Sequence, residues 1–89
     1  LSTLHVEPTL KVMPKYPKKW REKNQTGKVK LGYHIEQNGR VSDIKIIDSE
    51  VNKDLQKSAK QALLQWQFKT SSDGFSNQEV TFDFQLKSK

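Results

Sequence analysis

The dipeptide Asn38-Gly39 stands between two stretches of alternating polarity, and this arrangement constrains the chain more than any other feature. Before it, Val29, Leu31, Tyr33 and Ile35 are apolar or aromatic, with Lys28, Lys30, Gly32, His34 and Glu36 interleaved. Successive side chains of a strand point to opposite faces, so this arm is expected to bury one face and wet the other. Asn and Gly both tolerate the positive φ of a type I′ turn, the tightest hairpin connection. The second arm carries Val41, Ile44, Ile46 and Ile47. Val41 and Ile44 are out of phase for a regular strand, which predicts a bulge or a late start near Asp43. A lone hairpin is marginal in water, so the rest of the chain has to cover its apolar face.

The remaining segments supply that cover. Residues 1–16 carry no helical or strand period and read as an extended leader, although Leu10, Val12 and Tyr16 alternate enough for a short strand-like piece along the domain. Pro17 to Asn24 reads as a short helix with proline at its first position, and Tyr16 and Trp20 are spaced to pack across its start. Asn52 is a suitable N-cap and Asp54 a favourable first-turn charge for a second helix. Leu55, Ala59, Ala62, Leu63 and Trp66 fall on one face of that helix, which is expected to run to about Phe68, with Leu64 partly exposed. Residues 69–78 read as a polar loop around Asp73-Gly74. Val80, Phe82, Phe84 and Leu86 alternate with Thr81, Asp83 and Gln85 in a last strand. The long helix returns the chain across the hairpin, so the third strand lies beside the first. The expected fold is α+β: a three-stranded sheet of order 2-1-3 packed against one long helix, with a short N-terminal helix.

With 89 residues the chain makes one small domain. It contains no cysteine, so its stability rests on packing rather than disulfides. No apolar run approaches the roughly 20 residues that cross a bilayer, and no signal-peptide core is visible. His5 and His34 have no metal-ligand spacing, and no glycine-rich phosphate loop is present. Nothing in the pattern argues for an enzyme, a metal or a cofactor. The net charge is +6. Lys11, Lys15, Lys18, Lys19, Arg21, Lys23, Lys28 and Lys30 face the single acid Glu22 over one stretch. That stretch suits either a solvated face or an anionic partner. Stacking on RNA is disfavoured, because Tyr33, Phe82 and Phe84 occupy core slots of the alternation.

The ordered combination of PKYP at 14–17, GKVKLGYHI at 27–35, NGRVSDIKIIDS at 38–49, LQKSAKQALLQWQF at 55–68 and VTFDFQL at 80–86 resembles the TonB C-terminal domain family of Gram-negative energy transducers. The likeness covers residues 14–86, so residues 14–89 are taken as the domain and 1–13 as a leader or the end of a periplasmic spacer. It implies a periplasmic domain whose full protein is held in the inner membrane by an N-terminal helix and driven by a proton-powered motor complex. Its partners would be TonB-dependent outer-membrane receptors that import siderophore-iron, haem or cobalamin. Their TonB box adds as a strand to the last strand, here Val80, Thr81, Phe82, Asp83, Phe84, Gln85 and Leu86. The segment around the YP motif, Lys11, Val12, Met13, Pro14, Lys15, Tyr16 and Pro17, would also touch it. The family's structural aromatics fall on Tyr33, Trp66 and Phe68, and on Phe84 in the last strand.

Two positions depart from the family's pattern. Trp20 stands where a small residue is usual, and Lys69-Thr70-Ser71 replaces a proline that often follows the W-x-aromatic motif. A TolA-like envelope domain is an alternative of similar fold, but that family usually carries cysteines. A basic nucleic-acid-binding α+β module is an alternative of another class; no nucleic acid is expected as a partner under the leading reading. Homodimerisation by strand exchange is left open.

Overall fold

The computed structural model describes residues 7–86. His5, with the rest of residues 1–6 of the leader, and the basic tail 87–89 lie outside the described residues. The elements in order are α1 (Lys18–Glu22), β1 (Gly27–Ile35), β2 (Val41–Ser49), α2 (Lys53–Leu64) and β3 (Phe75–Phe84). They form one sheet of order β2-β1-β3, antiparallel at both junctions. The expected α+β fold is therefore the observed one.

The alternation in β1 does what its spacing requires. Val29, Leu31, Tyr33 and Ile35 are all buried, under Leu55, Ala59 and Leu63 of α2 and beside Phe82 and Phe84 of β3. Burying a large apolar side chain contributes roughly 1.5–3 kcal/mol, so this shared layer carries most of the favourable energy. In β2 the expected irregularity is present: the pairing shifts between Gly32 and His34, and Asp43 has φ +51°. A second shift between Lys30 and Leu31 leaves Ile47 unpaired. The two bulges keep Ile44 and Ile46 against the core while Ile47 is 44% exposed on the open face.

The hairpin connection differs from the expected type I′ turn. Only Gly39, at φ +85°, is left-handed; Asn38 is not. Glu36 C=O accepts from Gly39 N–H at 2.9 Å, and Glu36 N–H donates to Arg40 C=O at 2.8 Å. This is a three-residue loop, a type I turn closed by a left-handed glycine. Asn38 instead uses its side-chain oxygen to accept from Arg40 N–H at 3.0 Å.

Both helices start close to the expected places. Asn52 Oδ1 accepts from Leu55 N–H at 3.0 Å, an N-cap with Asp54 in the first turn. Pro17 precedes α1 instead of opening it, with φ −57° and ψ 142°. Trp20 and Tyr16 both pack against the core, and the Trp20 indole N–H donates to Asp54 Oδ2 at 3.1 Å.

The ends of α2 and β3 correct the sequence reading. The helix stops at Leu64, not near Phe68. Gln65 and Trp66 N–H groups bond three residues back, to Ala62 and Leu63 C=O, which tightens the last turn. The chain then leaves the helix because distant segments offer better partners. Gln67 N–H donates to Leu10 C=O at 3.1 Å, and Phe68 N–H donates to Gly39 C=O at 2.9 Å. Residues 75–78, expected in the polar loop, instead open β3: Tyr33 pairs with Gln78 and Ile35 with Phe75, across a bulge at Asn77 (φ +57°). The strand also ends sooner, at Phe84, because its partner Gly27 is the first residue of β1. Gln85 and the 41% exposed Leu86 lie beyond it.

Candidate peptide-binding site

Two segments singled out in the sequence, 11–17 and 80–86, come together along one side of the domain. The leader is tied down at three points. Thr9 and Leu10 N–H both donate to Gln67 C=O, at 2.8 and 3.2 Å. The Trp66 indole N–H donates to Val12 C=O at 2.8 Å. The Ser58 hydroxyl donates to Lys15 C=O on the α2 side. Tyr16 then stacks edge-on against Phe84 at 5.3 Å between ring centroids, and its hydroxyl donates to Gln25 C=O. Trp66 is the joint of this assembly. It is 5% exposed, meets Phe82 edge-on at 5.7 Å and lies beneath the Lys11 ammonium at 5.7 Å.

β3 is an edge strand, and main-chain geometry fixes which of its groups are free. Glu50 N–H donates to Lys28 C=O at 2.8 Å at one end of β1, and Glu36 N–H donates to Arg40 C=O at 2.8 Å just past the other. Even-numbered β1 residues therefore turn their main-chain groups toward β2, and alternation turns Val29, Leu31 and Tyr33 toward β3. Their register partners Phe82, Val80 and Gln78 bond back. Glu79, Thr81 and Asp83 consequently direct N–H and C=O outward, and among the described residues no strand pairs with them. Such a row is a template for another strand.

The side chains follow the same alternation. Phe82 and Phe84 are buried, whereas Thr81 and Asp83 are exposed. Tyr33, Trp66 and Phe68 are each 5% exposed. Burial, and then the Glu7 carboxylate, push the Tyr33 phenol above its ordinary pKa of 10.0. In the leader, Lys11, Met13, Lys15 and Pro17 are exposed, while Val12, Pro14 and Tyr16 are half-buried. Alternation alone leaves open which parity of β3 faces outward; that Glu79, Thr81 and Asp83 do so follows only from the register.

Residues 12–87 match the family model described as Gram-negative bacterial TonB protein C-terminal. The chain belongs to this family. A curated relative, Protein TonB of Yersinia enterocolitica, is 31% identical over 58 residues, which is 65% of this chain and 23% of that protein. The chain thus spans under a quarter of that TonB relative's length. The solution structure of the Pseudomonas aeruginosa TonB C-terminal domain superposes with a TM-score of 0.77 at 23% identity, covering 94% of this chain and 89% of that one. The Vibrio anguillarum TonB2 structure gives 0.73 at 25% identity, over 98% and 87% of the two chains. These structural likenesses speak to the fold, which is the TonB C-terminal fold. Among the described residues no helix is long and apolar enough to cross a membrane.

Proposed function

We propose that this TonB-family domain grips a receptor peptide by strand addition on the outer edge of β3. The carrying observation is the outward row Glu79, Thr81 and Asp83, with the leader held beside it through Tyr16–Phe84 and Trp66. Main-chain bonds along such an edge supply affinity, and alternate side-chain sites supply selectivity. Membership of the family supports the fuller reading. The domain works in the periplasm, without catalysis of its own, as the outer end of an inner-membrane-anchored transducer. It engages the TonB box of outer-membrane receptors and couples a proton-driven motor to import of siderophore-iron, haem or cobalamin. The contact set is Lys11–Pro17 together with Val80–Leu86, to which Glu79 is added.

Amide hydrogen exchange with and without a TonB-box-like peptide tests this reading. Val80 and Phe82 amides should exchange slowly before peptide is added, because β1 already holds them. Peptide should newly protect Thr81 and Asp83, with Glu79 at the margin, and should shift residues 11–17. Protection gained equally on both parities would indicate global tightening. Shifts confined to α2, with β3 untouched, would remove the proposal.

A further inference from the structure

A second groove runs along α2, and none of the residues lining it belongs to β3. One hollow of about 450 Å³ is lined chiefly by Val12, Met13, Ala62 and Leu64. A second of about 390 Å³ is lined chiefly by Lys15, Lys19, Trp20 and Lys57. The two meet at Lys15, Ser58 and Gln61, where the Ser58 hydroxyl ties the leader to the helix. The result is one trough with an apolar end and a cationic end.

The apolar end is bordered by exposed apolar side chains. Met13 is 74% exposed and Leu64 is 52% exposed, and the adjoining leader residue Leu10 is 46% exposed. Neighbouring exposed apolar side chains of this size mark interaction surfaces more often than isolated ones do. The cationic end carries three lysines, Lys15, Lys19 and Lys57, against one carboxylate, Asp54. Among the described residues the ion pairs are Lys18–Glu22 and Lys30–Glu79, so Lys15, Lys19 and Lys57 have no carboxylate within pairing distance. The one acid lining that hollow, Asp54, accepts the Trp20 indole N–H at 3.1 Å. Lys19 lies over the Trp20 ring at 4.7 Å, which holds its ammonium at the rim.

We infer that this trough is a second peptide-docking site, for a segment that presents one large apolar side chain followed by carboxylates. The apolar residue sits between Met13 and Leu64, and the carboxylates meet Lys15, Lys19 and Lys57. The 12 residues of α2 extend over roughly 18 Å at the helical rise, a span that an extended peptide of about five or six residues matches. A concave trough receives a side chain from a peptide, whereas a flat lipid surface would leave its floor empty. This site stands apart from the strand-addition reading, although the leader residues Val12, Met13, Lys15 and Pro17 border both.

The test uses a fluorescein-labelled heptapeptide with one leucine followed by three glutamates. Its controls replace the leucine with serine or the glutamates with lysines. Anisotropy and amide chemical shifts are read on the whole chain. The leucine–glutamate peptide should shift amides near Lys15, Ser58, Gln61 and Leu64 and leave Thr81 and Asp83 unmoved. Each control peptide should bind at least about tenfold more weakly. Leu64→Ser and Lys57→Glu should each weaken the heptapeptide by a similar factor while a TonB-box-like peptide binds them as it binds the parent. Shifts on β3 instead of α2 would overturn the second site even if strand addition holds. Equal binding of the serine control would reduce the groove to a charge effect and overturn the apolar half of the proposal. Binding to vesicles of phosphatidylglycerol and phosphatidylcholine in about equal parts, with none to the heptapeptide, would transfer the surface to a membrane partner.

Discussion

Replacing Gly39 tests how the hairpin turn and the segment after α2 hold each other. Gly39 is buried at φ +85°, and a Cβ built there would lie 2.0 Å from the Phe68 carbonyl oxygen. Two costs are separable. Placing alanine in the left-handed region costs about 1–2 kcal/mol. Relieving the contact means moving one backbone away from the other. That endangers the 2.9 Å bond from Phe68 N–H to Gly39 C=O, about 0.5–1.5 kcal/mol, and strains the packing of buried Phe68 by about 1–3 kcal/mol. The sum for Gly39→Ala is about 3–6 kcal/mol, a large part of the ~5–15 kcal/mol that stabilises an ordinary domain. Gly39→Asn separates the two parts, because asparagine tolerates the left-handed region but still carries a Cβ. Urea denaturation followed by circular dichroism should find Asn only about 1 kcal/mol better than Ala. Recovery of Gly39→Asn to within about 0.5 kcal/mol of the parent would refute the close approach and leave φ as the only demand on this position.

Trp66→Ala should cost about 3–5 kcal/mol by urea denaturation, because a large buried ring is lost from between the leader and β3. Trp66→Phe keeps a smaller aromatic ring and removes the donor to Val12 C=O; faster exchange at the Leu10 and Gln67 amides, with the exchange of Val29 and Leu31 little changed, is the expected outcome. With Trp20→Phe as background, emission from Trp66 should be blue-shifted, and a water-like spectrum would contradict its burial. Tyr33 has a raised pKa in the folded state, so its neutral form contributes stability that is intact below pH 10.0 and is lost as pH rises through the folded pKa. Melting temperatures of the parent and Tyr33→Phe should therefore converge in their pH dependence below that point and separate above it, the parent falling faster.

Much of the fold was legible because its signals are short-range. Alternation at Val29, Leu31, Tyr33 and Ile35 reports which side of β1 is dry, and the phase slip at Val41–Ile44 reports the bulge at Asp43. Asn52 caps α2 through a bond only three residues long. These features depend on neighbours along the chain, so period and turn chemistry capture them. The family resemblance drew on the same local pieces in their order.

The tertiary structure decided what depends on distant backbone. The apolar face of α2 continues through Trp66, yet the helix stops at Leu64. Residues 66–68 find partners at Val12, Leu10 and Gly39, tens of residues away, which no helical period encodes. Residues 75–78, polar except for Phe75, become strand because β1 still has unpaired groups beside them, and buried main-chain groups need partners whatever side chains they carry. For the same reason, alternation in the sequence could separate Thr81 and Asp83 from Val80 and Phe82 but could not say which pair faces outward. Only the register of β3 on β1, anchored where Lys28 accepts from Glu50 and Glu36 donates to Arg40, leaves Glu79, Thr81 and Asp83 open to a partner.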